Sequence, residues 1–370
     1  MNSIRKDILF MLHLPPPVHG SSIMGELLKK SGTLNSAFRG RYINLILSGK
    51  VSESGKTNPK KVIRFVIIWL RLLGKLLHRK PDLCYYALTT TGAGLYKDVL
   101  LIALLRLFRV KIIYHIHNKG IIHARKKNIN HILYRFVFKN AHVILLSKHL
   151  YYDIEEYVPY DDVYYCPNGI KDYDPSAALF VLPENRPFNI LFFSNLIEEK
   201  GVFVLLEACS ILRDKGFSFL CDFVGGEGDV SEKQFDEYVK KKDLGDQVKY
   251  HGKRYGRLKE ISFEQADVFV LPSKYDCFPL AVLEAMQHNL PVITAYEGGM
   301  PDMVDEGDTG YLISPYNNVG ALAEKIEFLL SNPALRKQMG INGRTKYEKN
   351  FTLSIFEQRL SNILQDVINK

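Results

Sequence analysis

Residues Ala266–Gly310 read ADVFVLPSKYDCFPLAVLEAMQHNLPVITAYEGGMPDMVDEGDTG. Val268 to Leu271 is an apolar run stopped by Pro-Ser, the pattern of a short buried strand. A turn carrying Asp276 follows, and Pro279 then introduces a helical spacing of Leu280, Leu283, Ala285 and Met286. Proline suits a first helical turn, where its missing N–H has no partner to lose. The open N–H groups of such a turn, with the helix dipole behind them, favour an anion such as a phosphate. Glu284 lies further along the same helix, eight residues after Asp276. A second strand, Pro291 to Thr294, then delivers Glu297-Gly298-Gly299 to the same edge. The order strand, loop, helix, strand builds a parallel sheet, whose ligands bind beyond the carboxyl ends of the strands.

The rest of the chain agrees with an α/β reading. At 370 residues it is long for a single core, so two domains are expected. Hydrophobic content of 46% with 24% charge marks a soluble globular protein. Five widely spaced cysteines without a C-x-x-C argue for a reducing compartment and against a disulfide frame or zinc site. Charge is unevenly divided. Through Asp174 there are 27 Lys and Arg against 12 Asp and Glu, and beyond it 22 against 28. A basic first half suggests an anionic partner there. The chain has no zinc finger, RNP motif or other reader of bases, which speaks against nucleic acid.

The quoted stretch resembles a family. A carboxylate, seven residues and a Glu within P-S-x-x-D-x-F-P-x-x-x-L-E-A-M, followed by P-V-I and Gly298-Gly299, is similar to the retaining nucleotide-sugar glycosyltransferases of family 4, the glycosyl transferases group 1. The likeness runs over nearly the whole chain, strongest from Phe188 to Tyr347. It implies the GT-B fold, two Rossmann-like domains facing each other across a deep cleft. The boundaries expected are an acceptor domain over 1–170, a linker over 171–187, a donor domain over 188–350 and a helix over 351–370 crossing back to the first domain. The resemblance implies that Glu284 binds the nucleotide ribose and that Asp276 lies near the donor sugar and diphosphate. The family usually has Glu at that first position, so Asp276 is one methylene short. Phe278, Pro279 and Leu280 would line the donor site between them. Cys277, where the family carries Gly, reads as a tolerated replacement rather than a nucleophile.

From the start of the chain, Asp7 to Leu14 reads as a strand and Pro15 to Ser22 as its loop. Three prolines and the lack of a small-residue cleavage site argue against a signal peptide. The resemblance brings Gly20 and Ser21 of this loop to the donor phosphates; a plain helix N-cap by Ser21 or Ser22 is the other reading. Tyr42 to Leu47 is a second strand, with a polar mobile loop from Leu47 to Pro59. Lys60 to Lys80 is interrupted by Arg64, Arg71 and Lys75 too often to span a membrane. It reads either as a crossover helix packed on the sheet or as a cationic amphipathic helix at a membrane interface.

Leu83–Leu88 and Val110–Tyr114 are the next strands, the latter leading to His115-Ile116-His117-Asn118-Lys119-Gly120. No carboxylate nearby completes a metal set for the two histidines. The resemblance gives His117 a catalytic place near the donor sugar's hydroxyls and the reaction centre; a loop histidine satisfied by backbone is the alternative. Val143–Ser147 and Val163–Cys166 close the first domain at a Pro167-Asn168-Gly169 turn of the family's form. In the second domain the family pattern G-R-L-x-x-x-K-G matches at Lys200 but has Asn195 where Arg is usual. One cation opposite a diphosphate is thereby lost, at a cost of about 1 kcal/mol or more. Gly225 begins a further Gly-rich turn, and Lys253 and Arg254 resemble the loop that contacts the nucleobase.

The expected protein is a retaining, metal-independent glycosyltransferase with no cofactor. It would take a nucleotide-sugar donor and a saccharide or lipid-carrier-linked acceptor, in surface polysaccharide assembly. Its expected location is the cytoplasm, with peripheral contact to anionic membrane through Lys60, Arg64, Arg71 and Lys75. A GT-B nucleotide-sugar 2-epimerase and a non-catalytic sugar-nucleotide-binding or membrane scaffold protein are the alternatives.

Overall fold

The structure is a computed structural model and describes residues 5–47, 59–173 and 186–370. Most of the loop expected between Leu47 and Pro59 and of the linker expected over 171–187 lies outside the described residues. The chain forms two compact units, Met1–Asn168 with Ser354–Lys370, and Gly169–Leu353.

The first unit holds six parallel strands: β1 (Asp7–Leu12), β2 (Arg39–Asn44), β3 (Leu83–Leu88), β4 (Ile112–Ile116), β5 (His142–Leu145) and β6 (Val163–Tyr165). Their order is β2-β1-β3-β4-β5-β6. Every residue of β1, β3 and β4 is buried, as helices covering both faces of a parallel sheet require. The edge strand β2 lies three residues earlier than Tyr42–Leu47 predicts. Its sequence is polar and half-exposed, so hydrophobicity does not mark it. What sets it is pairing: Asp7 stands opposite Arg39, and Arg41 Nε donates to the buried Asp7 carboxylate at 2.9 Å. β4 also corrects the sequence reading, running on to Ile116. His115 is therefore a core residue in register between Ala87 and Ile144, with its ring bonded to the Tyr85 hydroxyl at 2.6 Å. The helix Leu353–Asn369 closes this unit, burying Phe356, Leu360, Leu364 and Val367 and accepting from Lys111 through the Val367 carbonyl.

The second unit repeats the architecture with β7 (Phe188–Phe193), β8 (Phe219–Val224), β9 (Val248–Tyr250), β10 (Val268–Leu271), β11 (Val292–Ala295) and β12 (Gly310–Ile313), in the order β12-β11-β10-β7-β8-β9. The winding reverses between β7 and β10, which pair Ile190 with Val268. In the first unit it reverses between β1 and β3. At such a reversal the flanking loops diverge to opposite faces and leave a crevice at the carboxyl edge. Topology thus singles out the loops after β7 and β10, and after β1 and β3, before any chemistry is considered.

Candidate active site

In the second unit, the loop after β7 carries Lys200 and the loop after β10 carries Asp276. Lys200 Nζ meets Asp276 Oδ1 at 2.6 Å, with both side chains largely buried. The other Asp276 oxygen is buried without a hydrogen-bond partner. Two glycines let the loops after β7 and β11 close on the β10 loop. Gly201 has φ +86°, and a Cβ there would lie 2.3 Å from the Pro272 carbonyl oxygen. Gly298 has φ +56°, and its Cβ would lie 1.9 Å from the Asp276 carbonyl oxygen. Only glycine tolerates both the backbone conformation and the approach.

The helix after Asp276 runs Leu280–Gln287, with Pro279 as its extended N-cap rather than its first helical residue. Proline has no side-chain acceptor, so no side-chain cap covers the first turn; the Val282 N–H reaches back to the Pro279 carbonyl at 3.2 Å, while those of Leu280 and Ala281 precede any intrahelical acceptor. Phe278 is buried, packing edge-on against Phe351 with ring centroids 5.7 Å apart. Cys277 is buried, and its carbonyl accepts from the Gly299 N–H at 2.6 Å. Glu284, two turns along, accepts from Lys259 Nζ at 2.7 Å. Burial raises the Glu284 pKa, against the pull of Lys259. Burial would lower Lys259, but its ion pairs with Glu284 and Glu260 outweigh that and leave it raised. Glu260 also lies 3.1 Å from His288 Nε2.

Asn195 sits at the position where the family pattern has an arginine. Its Oδ1 accepts the Gly226 N–H at 2.9 Å, tying the loop after β7 to the Gly-rich turn after β8. Gly225 donates its N–H to the Gly252 carbonyl, so the loop after β9 joins the same edge. Lys253 lies across Gly226: a Cβ on that glycine would be 3.2 Å from Lys253 Nζ and 3.3 Å from Asn195 Oδ1. A cation therefore sits beside the position where the sequence lacks one. Gly226, Tyr250, His251 and Lys253 help line a concavity of about 540 Å³. Arg254 turns away from Lys253's contacts and donates to the Ser262 hydroxyl at 2.9 Å.

The first unit assembles imidazoles at its own carboxyl edge. His13 follows β1 and bonds Ser21 Oγ through Nδ1 at 3.0 Å. Ser21 is thus engaged by a ring, while the N-cap of the helix Gly20–Lys30 is His19, in a reciprocal capping box with Ser22. This replaces the expected serine cap. Gly20 faces open space, with nothing within 4 Å of a Cβ built on it. His117 lies tilted over His115, with ring centroids 4.2 Å apart. Burial, helped by His19, lowers the His117 pKa to about 4. Burial also lowers His13 well below the ordinary imidazole range, with Lys97, His19 and His117 adding to it. These rings are neutral near pH 7. Among the described residues no group of three or more His, Cys, Asp and Glu is placed to hold a metal ion.

Sequence reasoning missed Lys259, His13 and His19. Lys259 sits on a different helix from Glu284 (Arg257–Glu264), so no local spacing links them. His19 is inside the loop already singled out, and its place just before a helix was the available signal.

Residues 179–346 match the family model described as glycosyl transferases group 1. Those residues belong to that family. Among curated relatives, the amylovoran biosynthesis glycosyltransferase AmsK of Erwinia amylovora is 31% identical over 187 residues, 49% of this chain and 45% of that protein. The chain thus spans about half the length of the curated relatives it matches. Among solved structures, sucrose-phosphate synthase from Thermosynechococcus elongatus superposes with a TM-score of 0.76 at 19% identity, covering 99% of this chain and all of that one. Anabaena HepE in complex with UDP gives 0.71 at 16% identity, covering 97% of this chain and all of that one. At these identities the likeness establishes the α/β fold of the GT-B glycosyltransferases.

Proposed function

We propose that the chain is a retaining, metal-independent glycosyltransferase that moves a sugar from a nucleoside-diphosphate sugar to a saccharide or lipid-carrier-linked acceptor in surface polysaccharide assembly. The observation that carries this reading is the Lys200–Asp276 pair at the winding reversal of the second sheet, beside the uncapped first turn of Leu280–Gln287. A diphosphate entering there meets one cation and the backbone N–H groups of Leu280 and Ala281, and Lys253 adds a second cation beside Asn195. Glu284, held by Lys259, takes the ribose hydroxyls. The concavity at Tyr250–Lys253 takes the base. HepE's complex with UDP and the AmsK relative support a nucleotide donor and a polysaccharide product.

In the reaction the bond between the sugar's anomeric carbon and the diphosphate breaks, and one to the acceptor oxygen forms on the same face. The acceptor's hydroxyl proton passes to a phosphate oxygen of the leaving diphosphate. Lys200, Lys253 and the helix N–H groups offset the charge that develops on that leaving group. His117, neutral at working pH, accepts or donates a hydrogen bond to a sugar hydroxyl as the family resemblance assigns.

The test is a thermal shift with UDP-, GDP- and ADP-sugars, with and without EDTA, followed by transfer to a lipid-linked saccharide. One donor raises the melting temperature by mass action, EDTA leaves the shift intact, and Glu284→Ala abolishes it. The product's anomeric configuration, read by NMR, matches the donor's. No shift with any donor at millimolar concentration refutes the reading and leaves the non-catalytic alternative.

A further inference from the structure

Three helices of the first unit, Pro59–His78, Gly92–Leu107 and Asn128–Phe138, connect β2 to β3, β3 to β4 and β4 to β5. All three crossovers advance the same way along the sheet, so right-handed connection places them on one face. The first packs against the second and the second against the third. Arg106 of the second lies over the Phe136 ring of the third, 5.2 Å from its centroid.

This layer is covered on its inner side and apolar on its outer side. In Pro59–His78, Ile68, Leu72 and Leu76 are buried. Projected at about 100° per residue, Val62, Ile63, Val66, Ile67, Leu70 and Leu77 fall in one exposed sector. Lys60, Arg64, Arg71 and Lys75 fall in the sector beside it. The second helix exposes Tyr96, Leu100 and Leu107, and the third Ile129, Ile132 and Phe136, each set at helical spacing. Of the twenty-two large hydrophobic side chains exposed among the described residues, twelve lie on these three helices. Leu77 and Leu107 are 69% and 77% exposed, where isolated surface apolar residues would need no explanation but a contiguous field does.

Charge selects the occupant. Pro59–His78 and Asn128–Phe138 contain no acidic residue. The one acid of Gly92–Leu107, Asp98, is buried and bonded to Tyr86 and to Lys97. A second copy of this face would set basic residues against basic residues. An anionic bilayer complements both its charge and its apolar field, and no described helix is long and apolar enough to cross one. We propose that these three helices form a docking surface that lies in the interface of an anionic lipid membrane. The proposal goes beyond the glycosyl-transfer reading and does not depend on it.

Sedimentation with vesicles tests it, comparing phosphatidylcholine alone with phosphatidylcholine containing one-third phosphatidylglycerol. The full chain partitions at least tenfold more strongly onto the anionic vesicles, and molar salt weakens that binding. The double variant Leu70→Glu with Leu77→Glu, and separately Arg71→Glu with Lys75→Glu, each lower partitioning at least tenfold. Far-UV circular dichroism and melting temperature stay as in the parent, since all but the half-buried Lys75 stand fully outward. Ile341→Glu, exposed in the second unit, leaves binding unchanged. Absent or equal binding to both vesicles overturns the proposal. So does a dimer in light scattering that Leu70→Glu with Leu77→Glu dissolves. Donor-induced thermal shift, read on the same variants, is retained whether or not docking fails.

Discussion

Acid should weaken the first unit through His117, by an amount the structure sets. The ring is wedged against His115 at the end of β4, and its pKa falls from the ordinary 6.5 to about 4. Such a group is neutral in both states above about pH 7. Below 6.5 the unfolded chain takes up a proton that the folded one refuses, so stability falls as pH drops and levels off below about 4. Linkage over this interval gives a loss of about 2 kcal/mol between pH 7.5 and pH 5, as an upper value for a half-buried ring. Trp69, the one tryptophan of the chain, lies in the first unit and reports its unfolding by fluorescence. Urea titrations at the two pH values should show parent protein losing stability, with His13 and His115 contributing alongside. His117→Asn removes one share, narrowing the pH difference by up to about 2 kcal/mol. An unchanged pH difference in the variant, or an NMR titration of His117 near 6.5, refutes the reasoning.

Lys259→Met leaves the Glu284 carboxyl without its cation and pushes its pKa higher still; the variant loses about 1–2 kcal/mol, discounted for partial exposure. The loss is greater at pH 7.5, where the carboxylate must be charged, than at pH 5, and melting curves at both pH values check the sign. Gly298→Ala forces the loop after β11 off the Asp276 carbonyl and costs about 2–4 kcal/mol, measured by chemical unfolding of the second unit; a near-neutral effect would mean the loops part freely. Lys253→Ala leaves stability unchanged and weakens donor binding about tenfold in calorimetry, the worth of one charge-assisted hydrogen bond. Equal affinity would show that Lys253 does not supply the cation Asn195 lacks.

Much of this protein is legible from local pattern. The runs Val268–Leu271 and Ile190–Phe193 are strands because a strand covered on both faces must be apolar throughout, and that shows in sequence. The Pro279 helix start, the spacing from Asp276 to Glu284 and the Gly-rich turns are equally local, since each depends on a few consecutive φ values. Tertiary structure decided what depends on pairing across the chain. β2 is set by Asp7 and Arg41, not by its own hydrophobicity. His115 joins β4 because Tyr85, thirty residues away, accepts its ring into the core. Asn195 turns to the Gly226 N–H, Lys253 arrives beside it from another strand, and Lys259 reaches Glu284 from a neighbouring helix. A hydrogen bond or ion pair acts over a few ångströms of space with no memory of separation along the chain, so only the folded sheet brings such partners into view.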